Sequence, residues 1–560
     1  MDKPTAARKK RAAAVKNNPE ETPEAAQSKP GAARKTPQAA QSKPRATRKT
    51  SEAAQSKPRA TRKKSAEKVP AEKVSAEAPA QKADANRHVL FAASEAFPFA
   101  GTGGLGEVIG SLPAAVNHKN AGVEARIILP LYESVSEAVR KSMTHVAHYY
   151  VPLSWRNQYC GLFRYEQDGT VVYFLDNEYY FKRGNLYGYG DDGERFAFFS
   201  RAVLETLPYL GWKVDVIHCH DWQTALIPVY YKLFYMYRPE YAYIETIFTI
   251  HNLEYQGKFG KEVIEDLFGI PQREYPSVAH DGCINLMRAA IDYADRVTTV
   301  SETYAQEIRT REHGHGLDGV LNSRAYKLSG ILNGINVTEY DPAANRSMFQ
   351  NYSAKTLADK AVNKAELQKL LSLPVCPKVP IIAFISRLVP HKGVDLIRYA
   401  LGDIMKENVQ IVILGTGDME YENFFRHMEG VSGGKLRAIL AFNKDLAQKV
   451  YAGADIFLMP SRSEPCGLSQ MIACRYGTVP VVRATGGLKD SIADCGEGNS
   501  GNGFVFFSYS TEDMLYAIRR AVGLYRDYAE LFMGLAKRAA LSDFSWDKSA
   551  GRYIEYYSHL

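Results

Sequence analysis

From Arg87 onward, short β-rich apolar runs alternate with longer stretches of helical character, and this alternation is the strongest constraint on the fold. HVLFAAS, EARIILP, VVYFLD, VDVIHC, TIFTIHN and RVTTVS lie in the first half. PIIAFIS, VQIVILG, ADIFLMPS and TVPVVRA follow a Pro- and Lys-containing stretch at 373–379. Continuous apolar strands separated by helices build parallel sheets covered on both faces. Two sets of this size do not share one sheet comfortably. The reading is therefore an α/β chain with two doubly wound domains, 87–341 and 342–540, jointed near Asp341 and Pro342. The final segment, 541–560, ends in FSWDKSAGRYIEYYSHL and reads as an aromatic amphipathic helix.

Residues 1–86 have a different texture. They carry 21 Lys+Arg against 9 Asp+Glu, leaving 49 against 53 in the rest, so the body is mildly acidic and only the arm is basic. The arm has no aromatic residue, no Leu and no Ile, and it repeats AAQSKP at 25–30, 39–44 and 53–58. Such a segment buries too little apolar surface to offset its ordering entropy, so it is expected to be a disordered low-complexity tether. Any contact of this arm with nucleic acid would be weak and non-specific, through phosphate charge. No apolar run approaches the roughly 18 residues of a membrane span. The amino terminus lacks the apolar core of a secretory signal. Seven scattered cysteines without CxxC pairing suit reduced thiols, and the expected location is the cytoplasm.

In open parallel sheets, ligands bind beyond the carboxyl ends of the strands. The residues after each apolar run are therefore the informative ones, and loops from both halves would face a common cleft. Gly101-Thr102-Gly103-Gly104-Leu105-Gly106 satisfies GxGxxG, yet residues 95–100 intervene after the strand and no acid closes the second strand, so a dinucleotide site is rejected. What remains is a glycine-rich loop opening a helix, able to bring amides near an anion or to serve only as a tight turn. Arg387 and Lys392, in SRLVPHKG, suit a diphosphate as fork and point charge, although a solvated charge pair is the blander reading. Glu464, in PSRSEPCGLSQ, can accept from sugar hydroxyls or act as an N-terminal helix acid, and Thr485-Gly486-Gly487 presents amides at a helix start. His218, His220 and Asp221 in HCHDW form too sparse a set for a metal site, and His251 alone reads as a core histidine. No metal and no cofactor are expected.

Taken in order, GTGGLGEVIGSLP, LYGYGDDGERFAFFSRAVLE, HCHDWQTALIP, FTIHNLEYQGKF, GILNGIN, SRLVPHKGVDL, PSRSEPCGLSQ and ATGGLKDSI resemble the bacterial glycogen synthase and plant starch synthase family over nearly all of 87–560. The resemblance implies a GT-B fold, two Rossmann-like domains around a central cleft, with the terminal helix crossing back to the first. It implies transfer of glucose from ADP-glucose to the non-reducing end of glycogen or another α-1,4-glucan with retention of configuration. Arg387 and Lys392 match the cations that stabilise the leaving diphosphate, and Glu464 matches the acid that holds the donor glucose. Asp221, His251 and Asn333 match residues around the transferred glucose and acceptor. Gly103, Gly104 and Glu107 match the loop at the phosphates and sugar, and Tyr187 a sugar-contacting Tyr. Phe442 falls where an aromatic meets the base, and Cys466, Gly467, Leu468 and Ser469 with Thr485, Gly486 and Gly487 belong to the donor side. Gly101 stands where the family carries Lys, Arg288 where Lys is usual and Asn336 where Asp is common. UDP-glucose as donor, another retaining GT-B enzyme of the sucrose or trehalose type, and a glucan-binding regulatory homologue are the competing readings.

Overall fold

A computed structural model describes residues 87–497 and 499–560; the arm expected over 1–86 lies outside the described residues. The strands of the first half are β1 (Arg87–Ala92), β2 (Val123–Pro130), β3 (Thr144–Leu153), β4 (Arg156–Gln167), β5 (Thr170–Asp176), β6 (Val216–His220), β7 (Glu245–Ile250), β8 (Lys258–Phe259), β9 (Ala279–His280), β10 (Cys283–Asn285), β11 (Arg296–Thr299) and β12 (Leu328–Gly330). The second half holds β13 (Ile381–Ile385), β14 (Gln410–Leu414), β15 (Leu436–Ile439), β16 (Ile456–Met459), β17 (Val479–Arg483) and β18 (Phe504–Phe506).

Among the described residues these strands form a nine-stranded sheet ordered β12-β11-β7-β6-β1-β2-β5-β4-β3, a six-stranded sheet ordered β15-β14-β13-β16-β17-β18 and a small sheet β8-β10-β9. All ten apolar runs became strands, and every pairing in the six-stranded sheet is parallel. The additions are short or one-sided. β3 and β4 extend the first sheet antiparallel, with Tyr149, Val151 and Leu153 buried while the residues between them face solvent. An alternating pattern of that kind gives a weaker sequence signal than a doubly buried parallel strand.

Successive residues of the first sheet feed opposite cores. Leu90, Ala92 and Ile128 lie on one face, and Val89, Phe91 and Ile127 on the other. Helix Trp546–Ser558 packs on the second of these faces through Trp546, Ala550, Tyr553 and Tyr557, a helical spacing. Burying each of those aromatic rings stabilises the docking by on the order of 2–3 kcal/mol. The chain passes between the lobes twice at one place: Ile335 bridges Ser545, and Gly334 leaves so little room that a Cβ there would lie 2.6 Å from the Trp546 nitrogen.

Candidate active site

The loops after the strands of both sheets carry the expected side chains. After β13, the Arg387–Lys392 loop is pinned by backbone contact: Gly393 has φ 75°, and a Cβ on it would sit 2.1 Å from the Pro460 carbonyl oxygen. Only glycine combines that conformation with that approach. The Arg462 amide donates to the His391 carbonyl at 2.9 Å, fastening the loop after β16 beside it. Lys392 Nζ thereby reaches both carboxylate oxygens of Glu464, at 2.9 and 2.7 Å, and Ser461 Oγ donates to Glu464 at 3.0 Å. Glu464 is buried, whereas Arg387 is exposed and its guanidinium makes no hydrogen bond or ion pair among the described residues. Burial, then the Lys392 and Arg387 cations, hold the His391 ring below the ordinary histidine range, against the smaller opposing pull of the Glu254 and Glu464 carboxylates.

The glycine loop of the first lobe is shaped by residues that motif reading passed over. Glu95, buried in the segment after β1, accepts from the Thr102 amide at 2.7 Å and its hydroxyl at 2.8 Å. The Tyr187 hydroxyl donates to the same carboxylate at 2.7 Å and lies 2.7 Å from Ser94 Oγ. Tyr187 is thus engaged with the loop's support, which its expected sugar contact did not anticipate. Gly103 and Gly104 open helix Gly104–Lys119, and a Cβ on either would meet no atom within 4 Å. The chain's own packing does not demand glycine at these two positions. Glu107 lies in the first turn of that helix. Burial and the Glu339 carboxylate push its carboxyl above the usual range, and Glu339 itself is held by Lys444 at 2.5 Å.

Asp221 follows β6 with φ 58° and ψ 179°, a conformation costly for a non-glycine residue. Its carboxylate accepts from the His251 amide at 2.8 Å and also from the Asn252 amide, so it shapes the loop after β7. Burial raises its pKa to about 7 against those amides. His251 Nε2 lies 3.0 Å from His220 Nδ1, and burial lowers the His251 pKa to about 3. In HCHDW, both ring nitrogens of His218 are engaged, with Tyr557 Oη at 2.8 Å and Thr249 Oγ1 at 2.6 Å. The motif works as a neutral, hydrogen-bonded cluster under the site.

The donor-side helix start differs from expectation. Its amides are satisfied within the chain: Gly486 N–H donates to the Glu307 carboxylate, 3.1 Å from each oxygen, and Gly487 N–H donates to the Glu464 carbonyl at 3.1 Å and the Pro465 carbonyl at 3.2 Å. Thr485 Oγ1 also donates to Glu307, at 2.9 Å. A Cβ on Gly486 would lie 2.0 Å from the Glu464 carbonyl oxygen, and one on Gly487 2.1 Å from that of Cys466. These glycines are there for backbone approach. Cys466 is a buried thiol pushed up to about 12 and hydrogen-bonded by the Asn333 amide. The Asn333 Oδ1 is buried without a hydrogen-bond partner among the described residues. Gly467 turns the loop with φ 72°, Leu468 packs against the core around the six-stranded sheet, and Ser469 bonds the Tyr451 hydroxyl. Phe442 stands 92% exposed on the rim, available to stack on a planar group.

Comparison with known proteins agrees with this architecture. The family model described as Starch synthase catalytic domain matches residues 88–323, and that described as Glycosyl transferases group 1 matches 373–531. A glycogen synthase of Clostridium perfringens is 48% identical over 476 residues, 84% of this chain and 98% of that protein. One from Geobacillus thermodenitrificans is 46% identical over 84% of this chain and 97% of its own length. The catalytic domain of starch synthase IV from Arabidopsis thaliana, solved bound to ADP and acarbose, superposes with a TM-score of 0.77 at 35% identity, covering 84% of this chain and 99% of that one. With these matches spanning both lobes and the cleft between them, the chain belongs to the glycogen synthase and starch synthase family of GT-B glycosyltransferases.

Proposed function

We propose that this chain transfers glucose from ADP-glucose to the 4-hydroxyl at the non-reducing end of an α-1,4-glucan, with retention at the anomeric carbon. The observation that carries the reading is the Lys392–Glu464 pair, with Arg387, whose guanidinium has no partner among the described residues, in the same loop after β13. A lysine ammonium has three donors, and two are engaged with Glu464, so the third is available to a phosphate oxygen. Arg387 supplies a second cation where charge develops on the departing nucleotide. Glu464, its carboxylate fixed by Lys392 and Ser461, keeps lone pairs for the hydroxyls of the donor sugar. Asp221 is held by backbone amides, so its role is to set the His251 loop, and attack by the acceptor on the face from which the leaving group departs is a retaining route that needs no carboxylate nucleophile. The starch synthase solved with ADP supports an adenine nucleotide.

Gly101 stands where the family resemblance implies a lysine, and a Cβ there would lie 2.8 Å from the Phe97 ring; without that cation the donor phosphates rely on Arg387 and Lys392. Among the described residues no helix is long and apolar enough to cross a membrane. Buried thiols at Cys219, Cys466 and Cys474 support a reducing, cytoplasmic setting. Incorporation of labelled glucose from ADP-glucose and UDP-glucose, side by side on a glycogen primer, tests the reading. Faster incorporation from ADP-glucose is expected, preference for UDP-glucose would replace the donor, and no incorporation from either would overturn the activity.

A further inference from the structure

His220 closes β6 and His251 follows β7, the two strands pairing in parallel with His220 opposite Thr249. Their rings meet through His220 Nδ1 and His251 Nε2 at 3.0 Å. His220 is fully buried, its ring 5.7 Å from that of Phe91 and 4.2 Å from that of His218. Burial and the neighbouring histidines hold it neutral, so its ring carries one proton. His220 Nε2 is buried and has no hydrogen-bond partner among the described residues. A proton on Nε2 would be an orphaned buried donor, a rarer and costlier arrangement than an unused acceptor. On Nδ1 the same proton is matched by His251. His251 Nε2 is then an acceptor, and the single proton of neutral His251 sits on Nδ1, which has no partner among the described residues.

We propose that His220 is a positioning residue that fixes His251 as its Nδ1–H tautomer, so that His251 offers the cleft a hydrogen-bond donor and not a base. The ligand atom it suits is an oxygen acceptor, a sugar hydroxyl or a developing anion. The relay extends backwards: His218, two residues before His220 on the same strand face, bonds Tyr557 of the terminal helix, so docking of that helix backs the ring that orients His251. Which ring nitrogen carries a proton is set by the bond the other nitrogen makes, and a wrong tautomer disables a histidine whose position is unchanged. The inference rests on the reading of His251 as a group facing the donor sugar.

Long-range proton–nitrogen correlation on the full chain labelled with ¹⁵N-histidine reads the tautomer directly, with His251 assigned from a His251→Gln sample. The expected spectrum shows a protonated Nδ1 and a bare Nε2, and the reverse would overturn the proposal. In turnover, His220→Asn places an amide N–H near the former Nδ1 and should keep kcat within about threefold. His220→Gln and His220→Ala should lower kcat by about tenfold or more with little change in KM, as expected for a displaced contact. Folded His220→Ala with unchanged kcat would overturn the positioning role. Unchanged turnover in His251→Ala, with the expected tautomer in the unsubstituted chain, would instead remove His251 from the site.

Discussion

Glu307 of the first lobe and Asp490 of the second cap each other's helices. Glu307, closing helix Glu302–Glu307, accepts from the Gly486 amide at the start of helix Gly486–Ser491. Asp490, near the end of that second helix, accepts from the Thr303 amide at 2.8 Å and its hydroxyl at 2.5 Å. Ser301 Oγ adds a bond to the Pro465 carbonyl at 2.5 Å. Because Gly487 in turn holds the Glu464 carbonyl, the first lobe sets the register of the donor loop. Glu307→Ala and Asp490→Ala should each lower stability by about 1 kcal/mol, the usual consequence of losing a helix cap. A double-mutant cycle by urea titration should show coupling, since both caps join the same pair of helices. Strict additivity would mean that the two caps act independently.

Arg387→Ala and Lys392→Ala should each reduce kcat by about 100-fold, the scale for removing a stabiliser of transition-state charge. Glu464→Ala is expected to behave differently, because it releases Lys392 from its carboxylate partner. Calorimetry should find ADP binding at least as tight as in the unsubstituted chain, while glucose transfer is lost. Weakened ADP binding in Glu464→Ala would place that carboxylate in nucleotide recognition.

Two pairs of glycines separate open space beside the chain from space that the chain itself fills. Gly103→Ala and Gly104→Ala meet nothing within 4 Å and should leave the melting temperature within about 2 °C while raising KM for the nucleotide sugar. Gly486→Ala combines φ 43° with a 2.0 Å approach to the Glu464 carbonyl, so it should cost at least about 1–3 kcal/mol and depress kcat through the shifted loop. Equal melting temperatures across all three variants would contradict the assignment.

Acid should unfold the protein through its buried histidines. His218 and His251 are lowered to about 3, and His220 well below its ordinary value, all by burial first. The unfolded chain binds protons on all three below about pH 6.5 while the folded chain does not. Their stabilisation is therefore full above that pH and is lost as pH falls towards 3, by up to about 1.4 kcal/mol per unit for each. Asp221, raised to about 7, acts with opposite sign: its contribution is present below the ordinary carboxylate pKa and lost as pH rises through 7. Urea midpoints between pH 6.5 and 4.5 should fall steeply, less so in His218→Gln and more so in Asp221→Asn. A flat profile in the unsubstituted chain would show that the histidines take up protons in the folded state.

The ten apolar strands, and with them the parallel parts of two sheets whose carboxyl-end loops carry the chemistry, were legible in the sequence, because a continuous apolar run has few alternatives to a covered parallel strand. Arg387, Lys392 and Glu464 could be singled out for the same reason, since each follows such a run. What those residues do to one another was decided only in three dimensions. The pairing of Lys392 with Glu464 spans 72 positions and depends on Gly393 lying against Pro460. Glu95, Glu307 and Asp490 had no local signal, because an isolated carboxylate acquires its partner only when a distant amide is brought to it. The helix-start amides of Gly486 and Gly487 looked available for an anion, and tertiary contacts from Glu307, Glu464 and Pro465 satisfied them instead. Local sequence sets which way a strand's residues face and where its loop begins, whereas hydrogen-bond partners at long range follow from how the two sheets stand against each other.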